Sequence, residues 1–253
     1  MNKMKTLFTL ALVCFFAVNV HAQVKKPVVK KATTTKTTAK KTAVTPKRTS
    51  TVRAKVIPGT RVKITTDSGV MIIRLYDKTP LHRDNFIKLA NDHFFDSLLF
   101  HRVIQDFMIQ GGDPQSKYAQ PGQMLGSGDV GYTIPAEFDT SFIHKRGALS
   151  AARMGDQVNP AKASSGCQFY VVQGKKWTDA DLNNMEMQQG RKYSTAQRNM
   201  YKTIGGTPFL DTGYTVFGEV EKGLEVIDKI ASVPKAPGDR PLGDVRMKIE
   251  VIK

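Results

Sequence analysis

The stretch FHRVIQDFMIQGGD, residues 100–113, places one arginine among phenylalanine, methionine and isoleucine side chains and ends in two glycines. An unpaired guanidinium is costly to bury, so a plain core strand has little use for Arg102. A plain surface strand would not surround that charge with Phe100, Phe107 and Met108. The stretch therefore predicts an apolar pocket with one strong hydrogen-bond donor in its wall.

Short apolar runs separated by turn residues flank this stretch on both sides. The stretch itself predicts two strands that meet at Gln105 and Asp106. The other predicted strands lie in RVKITTDSGVMIIRLYD (61–77, two strands with a turn at 67–69), GALSAAR (147–153), CQFYVVQG (167–174), YTVFGEV (214–220) and VRMKIEVIK (245–253). Many short strands without a repeating strand–helix period favour an antiparallel barrel or sandwich.

Helical spacing appears in three places. TPLHRDNFIKLANDHFFD (79–96) has apolar residues on one face and a start signal at Pro80, and EKGLEVIDKI (221–230) predicts a second short helix. Residues 177–206 contain almost no strand formers and predict a helical insertion into the β framework. Thr178 is its expected N-terminal cap, and Gly190 is expected to divide it into two helices.

The N-terminal part of the chain differs from the rest in composition. Residues 1–22 have two lysines, an apolar run and small residues before Gln23, which predicts a secretory signal peptide cleaved after Ala22. Residues 1–60 hold thirteen Lys or Arg and no Asp or Glu, so they carry +13 of the net charge of +16. Residues 23–58 predict a disordered basic linker. Weak electrostatic contact with an anionic surface is an alternative role, and nucleic-acid binding is disfavoured because stacking aromatics are absent.

Cysteine and histidine usage restricts the chemistry further. Removal of the signal peptide takes away Cys14 and leaves Cys167 alone, so no intramolecular disulfide is expected and Cys167 is predicted to be a small core residue. The five histidines are scattered, and no spacing is typical of a zinc site. We therefore expect no metal.

Four blocks of sequence, taken in order, resemble the cyclophilin family of peptidyl-prolyl cis–trans isomerases. They are FHRVIQDFMIQGGDP, GALSAARMGD, SSGCQFYVV and FLDTGYTVFGEV. The resemblance covers roughly residues 60–253, so a domain at 59–253 is predicted. It implies a mainly β fold, a closed eight-stranded antiparallel barrel capped by two helices, here with the insertion, and a proline-binding groove on the outer face. It also implies an enzyme without metal, nucleotide or organic cofactor, and we expect a monomer.

The resemblance also implies which residues form the site. Arg102 matches the family's catalytic arginine, and Gln110 matches the glutamine that holds this arginine and the substrate backbone. Ala152 and Arg153 match the strand edge that pairs with the substrate. The complete set of predicted substrate-binding residues is Phe107, Met108, Ala152, Arg153, Gln168, Tyr170, Phe209, Leu210 and Tyr214.

Three positions depart from the family's pattern. Arg153 stands where asparagine is frequent, and Tyr214 replaces the histidine of many eukaryotic members. Phe209 matches a position where some members carry tryptophan, and Trp177 is an alternative occupant of that place.

The predicted function is isomerisation of Xaa–Pro bonds in proline-containing polypeptide clients. Isomerisation requires an apolar slot for the proline ring and a fixed donor near the twisting amide. The alternatives are a non-catalytic peptide-binding module with the same groove and a chaperone in which the insertion and basic linker capture clients. The signal peptide predicts export, with the periplasm favoured over full secretion.

Overall fold

The computed structural model describes residues 59–252 of the chain. The predicted signal peptide (1–22) and basic linker (23–58) lie outside the described residues. Between residues 59 and 252, no helix is both long and apolar enough to cross a membrane.

Ten β-strands and four α-helices form the described part of the chain. The strands are β1 (Arg61–Thr66), β2 (Gly69–Leu75), β3 (Phe100–Ile104), β4 (Met108–Gly111), β5 (Thr133–Ile134), β6 (Ala148–Ala151), β7 (Ser164–Ser165), β8 (Phe169–Val172), β9 (Val216–Lys222) and β10 (Met247–Ile252). The helices are α1 (Pro80–Asn91), α2 (Asp179–Gln189), α3 (Thr195–Thr203) and α4 (Leu224–Ala231). Eight strands form one antiparallel sheet, while β5 and β7 pair separately.

The sheet is a curled half-barrel, so the prediction of a closed barrel is wrong. Its strand order is β10-β1-β2-β9-β6-β8-β4-β3, which leaves β10 and β3 at the two edges. These edges approach each other only at their ends, where Leu99 and Arg246 form an isolated bridge. A ladder continued from this bridge would place residues 241–245 opposite β3, and Pro241 lies in that range. Proline has no backbone N–H to donate, and the segment leaves this register, since the Asp239 carbonyl accepts the Val103 N–H.

The main hydrophobic core lies between the sheet and helices α1 and α4. Period-two alternation buries Val62 and Ile64 of β1, and the same alternation on β4 sends Ile109 into the core. Met108 and Gln110 consequently face the opposite side of the sheet. Phenylalanine rings at the centre of the core pack with centroid distances from 4.9 to 6.1 Å; they are Phe86, Phe95, Phe100 and Phe169.

Helix α4 begins later than the sequence predicts. The prediction started the helix at Glu221, but Glu221 and Lys222 are the last residues of β9. Gly223, with a φ of 87°, separates the strand from the helix. The left-handed conformation of this glycine allows the chain to turn there without steric cost.

The insertion, residues 177–206, contains α2 and α3 and no strand. Thr178 and Asp181 form a capping box at the start of α2, and Gly190 ends this helix with a φ of 62°. A second capping box at Ser194 begins α3. A small separate core packs the insertion against the rest of the fold; it consists of Leu182, Tyr193 and Tyr201 of the insertion and Ile143 from outside it, with Trp177 and Met185 beside them.

Candidate active site

A cavity of about 160 Å³ opens on the outer face of the sheet, opposite the core. Antiparallel pairing places Arg102 of β3 directly beside Gln110 of β4, and Gln110 beside Tyr170 of β8. Residues after β6 and before β9 complete the wall. The cavity is lined by Arg102, Phe107, Met108, Gln110, Ala152, Arg153, Tyr170, Leu210 and Tyr214. All nine belong to the set of eleven that the sequence predicted; Gln168 and Phe209 do not line it.

A chain of side-chain hydrogen bonds fixes Arg102 on one side. Its Nη1 donates to Gln110 Oε1 at 3.4 Å, and Gln110 Nε2 donates to Gln168 Oε1 at 3.0 Å. Gln168 is buried, and its Nε2 donates to the carbonyls of Gly126 and Gly128 at 3.0 and 2.7 Å. Because carbonyls only accept, the Gln168 amide has a single satisfactory orientation, and this orientation determines that of Gln110. Gln168 therefore lies behind the cavity wall and orients Gln110 from there.

Asp113 anchors the loop that carries these two carbonyls. The Asp113 side chain is buried and accepts hydrogen bonds from the backbone N–H groups of Gln115, Gly126 and Gly128. It also caps the 3₁₀ turn Pro114–Tyr118. A buried carboxylate that accepts several backbone hydrogen bonds makes a rigid loop anchor. Asp113 thereby supports the whole chain of contacts that ends at Arg102.

A second acidic residue approaches Arg102 from the proline-rich loop before β10. Asp239 Oδ2 lies 3.8 Å from Arg102 Nε, and the Asp239 backbone carbonyl accepts the N–H of Val103 at 2.8 Å. Lys235 binds the other carboxylate oxygen at 2.7 Å. The Arg102 side chain is 43% exposed, so its guanidinium lies between two partners and still faces the cavity.

The apolar part of the cavity comes from a second cluster of side chains on the outer face of the sheet. Met108 is 1% exposed and Tyr170 is 4% exposed, and they form its buried floor. Tyr214 packs edge-on against the Tyr170 ring at 5.9 Å. Burial raises the pKa of Tyr170 well above its ordinary value, so its hydroxyl stays protonated. The cavity is thus a slot with apolar walls and a cation at one side.

The Arg153 side chain does not extend into the cavity as a free charge. Its guanidinium donates to the Gly213 carbonyl at 2.7 Å and to Asp156 at 2.6 Å, and it lies 4.4 Å from the Tyr214 ring centroid. Its side chain is 5% exposed. Arg153 therefore holds Tyr214 in place through a cation–π contact.

Ala152 cannot pair with a substrate strand through its backbone, which corrects part of the predicted strand edge. Its N–H donates to the Gln168 carbonyl at 3.0 Å, and its carbonyl accepts the Ser165 N–H at 2.8 Å. Within residues 59–252, no backbone hydrogen bond engages the neighbouring Arg153 peptide groups. The edge available for a peptide is consequently the Arg153 backbone.

Neither candidate aromatic residue for the family's tryptophan position lines the cavity. Phe209 is 46% exposed and packs against Phe107 at the mouth, with ring centroids 5.6 Å apart. Trp177 donates its indole N–H to the Gly206 carbonyl at 2.8 Å and packs with the core of the insertion. The two rings are 6.3 Å apart. Phe209 is therefore a rim residue, and Trp177 supports it from behind.

Cysteine and metal-binding groups could supply further chemistry within residues 59–252, and Cys167 is a buried free cysteine there. Burial raises the pKa of the Cys167 thiol to about 11, which keeps it protonated and unreactive at neutral pH. No group of three or more His, Cys, Asp or Glu side chains in this range could hold a metal ion.

The sequence did not identify several residues that support the site. Asp113 has a visible signal, because an aspartate directly before Pro114 is typical of the start of a helical turn. Asp239 has no such signal, since it becomes important only through its contact with Arg102. The same holds for Asp211 and His144, a buried pair whose Oδ1 and Nδ1 atoms lie 2.8 Å apart.

His101, next to Arg102, should make stability depend on pH. It is 3% exposed, and burial lowers its pKa from about 6.5 to about 4. Between these values the unfolded chain binds a proton that the native protein does not, so the free energy of unfolding should rise with pH across this window. Across this window, His101 alone should raise the free energy of unfolding by roughly 3 kcal/mol as the pH increases. Urea unfolding from pH 4 to 7 should show a weaker pH dependence for His101→Gln than for the wild type; identical dependence would contradict the assignment.

Comparison with known proteins agrees with this architecture. A profile of the family "Cyclophilin type peptidyl-prolyl cis-trans isomerase/CLD" matches residues 61–251. A Staphylococcus haemolyticus protein named "Putative peptidyl-prolyl cis-trans isomerase" is 35% identical over 186 residues, covering 73% of this chain and 87% of that protein. A Streptococcus pyogenes protein named "Putative bifunctional phosphatase/peptidyl-prolyl cis-trans isomerase" is 37% identical over 190 residues, covering 74% of this chain but only 37% of the streptococcal protein.

Two solved structures of a Cryptosporidium parvum cyclophilin type peptidyl-prolyl cis–trans isomerase share the fold. The first has a TM-score of 0.57 and 22% identity and covers 77% of this chain and 98% of the other. The second, determined in the presence of the dipeptide Ala-Pro, has a TM-score of 0.54 and 21% identity and covers 76% and 99%. The chain belongs to the cyclophilin-type peptidyl-prolyl cis–trans isomerase family. It is an enzyme of that class.

Proposed function

We propose that this protein accelerates rotation about Xaa–Pro peptide bonds in exported polypeptides, with Arg102 stabilising the twisted amide. The observation that carries the proposal is the cavity of about 160 Å³, in which one oriented guanidinium stands beside an apolar slot. The slot residues are Phe107, Met108, Tyr170, Leu210 and Tyr214.

The reaction needs no proton transfer and no covalent intermediate. The barrier to rotation, about 20 kcal/mol, comes from amide resonance, which is lost when the peptide bond twists. In the twisted state the prolyl nitrogen regains a lone pair that can accept a hydrogen bond. An enzyme that binds this state more tightly than either planar isomer lowers the barrier.

Each part of the cavity has a role in this scheme. The apolar slot holds the proline ring while the preceding residue turns, and the Arg153 backbone pairs with the substrate chain. Arg102 donates an N–H to the prolyl nitrogen. Gln110 and Asp239 hold the guanidinium from two sides, so little reorganisation is needed when the amide twists.

Export is supported by the sequence of residues 1–22, which has the features of a secretory signal peptide. The periplasm is the proposed compartment. Residues 23–58 then act as a basic linker, and weak contact with an anionic surface is the proposed second role for their charge.

Gln110→Ala should lower the catalytic efficiency about fivefold. The substitution removes the hydrogen bond that orients Arg102 and leaves the Gln168 carbonyl oxygen without its donor, a loss of about 1 kcal/mol. The matched variant is Gln105→Ala, which truncates an exposed glutamine in the same hairpin. Isomerisation of a proline test peptide should be slowed by the first change and unaffected by the second. Equal rates for both variants would exclude the orienting role.

The test of the proposed function is the cis-to-trans rate of an Ala-Pro test peptide with residues 23–253. Clear acceleration supports the proposal. Binding of the peptide by correctly folded protein without acceleration would instead identify a peptide-binding module. Suppression of client aggregation that disappears on deletion of the insertion, with isomerase activity intact, would identify a separate chaperone role.

A further inference from the structure

A buried carboxylate lies directly behind the slot. The side chain of Asp211 is fully buried, and its Oδ1 accepts hydrogen bonds from the backbone N–H and from Nδ1 of His144, both at 2.8 Å. Its Oδ2 accepts the Tyr201 hydroxyl at 2.6 Å, and Arg191 Nη1 lies 3.6 Å from the same oxygen. Asp211 is next to Leu210, which lines the cavity. Two of the partners of this carboxylate, Tyr201 and Arg191, belong to the insertion.

The insertion also holds the other end of the same turn. Gln189 Nε2 and the Tyr193 hydroxyl both donate to the Pro208 carbonyl, at 2.9 and 3.1 Å. The segment from Pro208 to Asp211 is a single 3₁₀ turn with its C-terminal cap. It is therefore bound at its first and last residues by side chains from the insertion. This turn presents Leu210 to the cavity and Phe209 to the rim.

A further contact extends from Asp211 to the floor of the slot. The Tyr170 hydroxyl lies 3.0 Å from His144 Nε2. Because a carboxylate oxygen only accepts, His144 Nδ1 donates to Asp211, and Nε2 on the other side of the same ring contacts the Tyr170 hydroxyl. Asp211, His144, Tyr170 and Tyr201 are all buried, and a hydrogen bond lost among buried groups is costly because it leaves a polar atom without a partner.

We propose that the insertion is a positioning element for the proline slot, and that Tyr201 is the positioning residue that connects it to Asp211. This inference rests on the proposed function and gives a role to residues 177–206. Tyr201 orients Asp211, and Asp211 in turn fixes Leu210 through the chain and Tyr170 through His144. The insertion thus determines the shape of the surface that receives the proline ring and its neighbours.

The proposal predicts which kinetic quantity changes. Arg102 and Gln110 are oriented by their own partners, Asp239 and Gln168, and among the described residues no side-chain hydrogen bond of the Asp211 network includes either of them. Loosening the slot should therefore weaken peptide binding while the rate on the bound peptide stays nearly the same. If the insertion only stabilised the fold, loosening it would lower the Tm and would leave the peptide Kd unchanged.

The experiment compares Tyr201→Phe with Ser194→Ala in residues 23–253. Tyr201→Phe removes only the hydroxyl that binds Asp211. Ser194→Ala removes the N-terminal cap of the same helix, α3, and leaves the Tyr201 hydroxyl in place. Calorimetric titration with an Ala-Pro peptide gives the Kd, exchange NMR at saturation gives the rate on the bound peptide, and thermal unfolding gives the Tm.

For Tyr201→Phe we expect a Kd at least fivefold higher than that of the wild type and a rate on the bound peptide within twofold of the wild-type rate. For Ser194→Ala we expect a lower Tm and an unchanged Kd. An unchanged Kd for Tyr201→Phe, or equal increases in Kd for both variants, would overturn the positioning role while leaving the isomerase function intact. A wild-type protein that neither binds nor isomerises the peptide would refute the proposed function, and with it this inference.

Discussion

Arg102→Ala should slow isomerisation of an Ala-Pro test peptide at least tenfold when variant and wild type are compared at equal folded concentration. The substitution removes the donor that stands beside the slot, and tenfold corresponds to ~1.4 kcal/mol of transition-state stabilisation. Arg102→Lys should be nearly as slow, because an ammonium group keeps the charge but lacks the planar fork that meets Gln110 and Asp239.

The matched control is Arg61→Ala. Arg61 is an arginine of similar exposure on β1 that pairs with Glu221, away from the cavity. Its removal should leave the rate unchanged. A wild-type rate for Arg102→Ala, with the fold intact by circular dichroism, would exclude Arg102 as the donor. A parallel loss in Arg61→Ala would show that net charge, and not the position of the guanidinium, controls the rate.

Gly112→Ala should destabilise the fold by about 3 kcal/mol or more. Gly112 has a φ of 94°, and a Cβ built on it would lie 2.2 Å from the Cys167 carbonyl oxygen. The positive φ costs roughly 1–2 kcal/mol for a residue with a side chain, and a forced overlap with backbone costs about 1–3 kcal/mol more. Since the overlap displaces the peptide next to Gln168, activity should fall together with stability. Urea unfolding monitored by circular dichroism measures the change.

Gly122→Ala is the matched control, because it introduces the conformational cost of a positive φ without the steric overlap. Gly122 has a φ of 76° but no atom within 4 Å of a built Cβ, so only the conformational term applies. We expect a loss of about 1 kcal/mol and a normal isomerisation rate. Equal destabilisation by both substitutions would mean that the contact with Cys167 relaxes without cost.

The local elements follow from residue patterns that act over a few positions. Alternation in 61–77 predicts β1 and β2, and the capping signals at Thr178 predict the start of α2, because both depend on neighbours in the sequence. Residues 100–113 alone indicated an apolar pocket with a guanidinium in its wall. In the structure, Arg102 and Gln110 pair across two adjacent strands, so this part of the site is itself local.

Closure of the sheet could not be predicted in the same way. It depends on whether the segment before β10 meets β3, which is more than a hundred residues away in the chain. Pro241 in that segment lacks the N–H that a ladder needs, and only the folded arrangement shows that residues 241–245 are the ones opposite β3. The resemblance to cyclophilins implied a closed barrel, whereas the described residues form an open one.

By itself, the sequence indicated the family through four short blocks, and it predicted the strands of the main sheet and the helices of the insertion, because these depend on neighbouring residues. The resemblance then implied eleven site residues, of which nine line the cavity. Only the tertiary structure showed which residues hold the site residues in place. Asp113, Asp239 and Asp211 are ordinary aspartates in the sequence, and each acquires its role through contacts with distant residues. The physical reason is that burial and the direction of a hydrogen bond are properties of the packed chain, and a buried carboxylate is tolerated only where the fold brings donors to it.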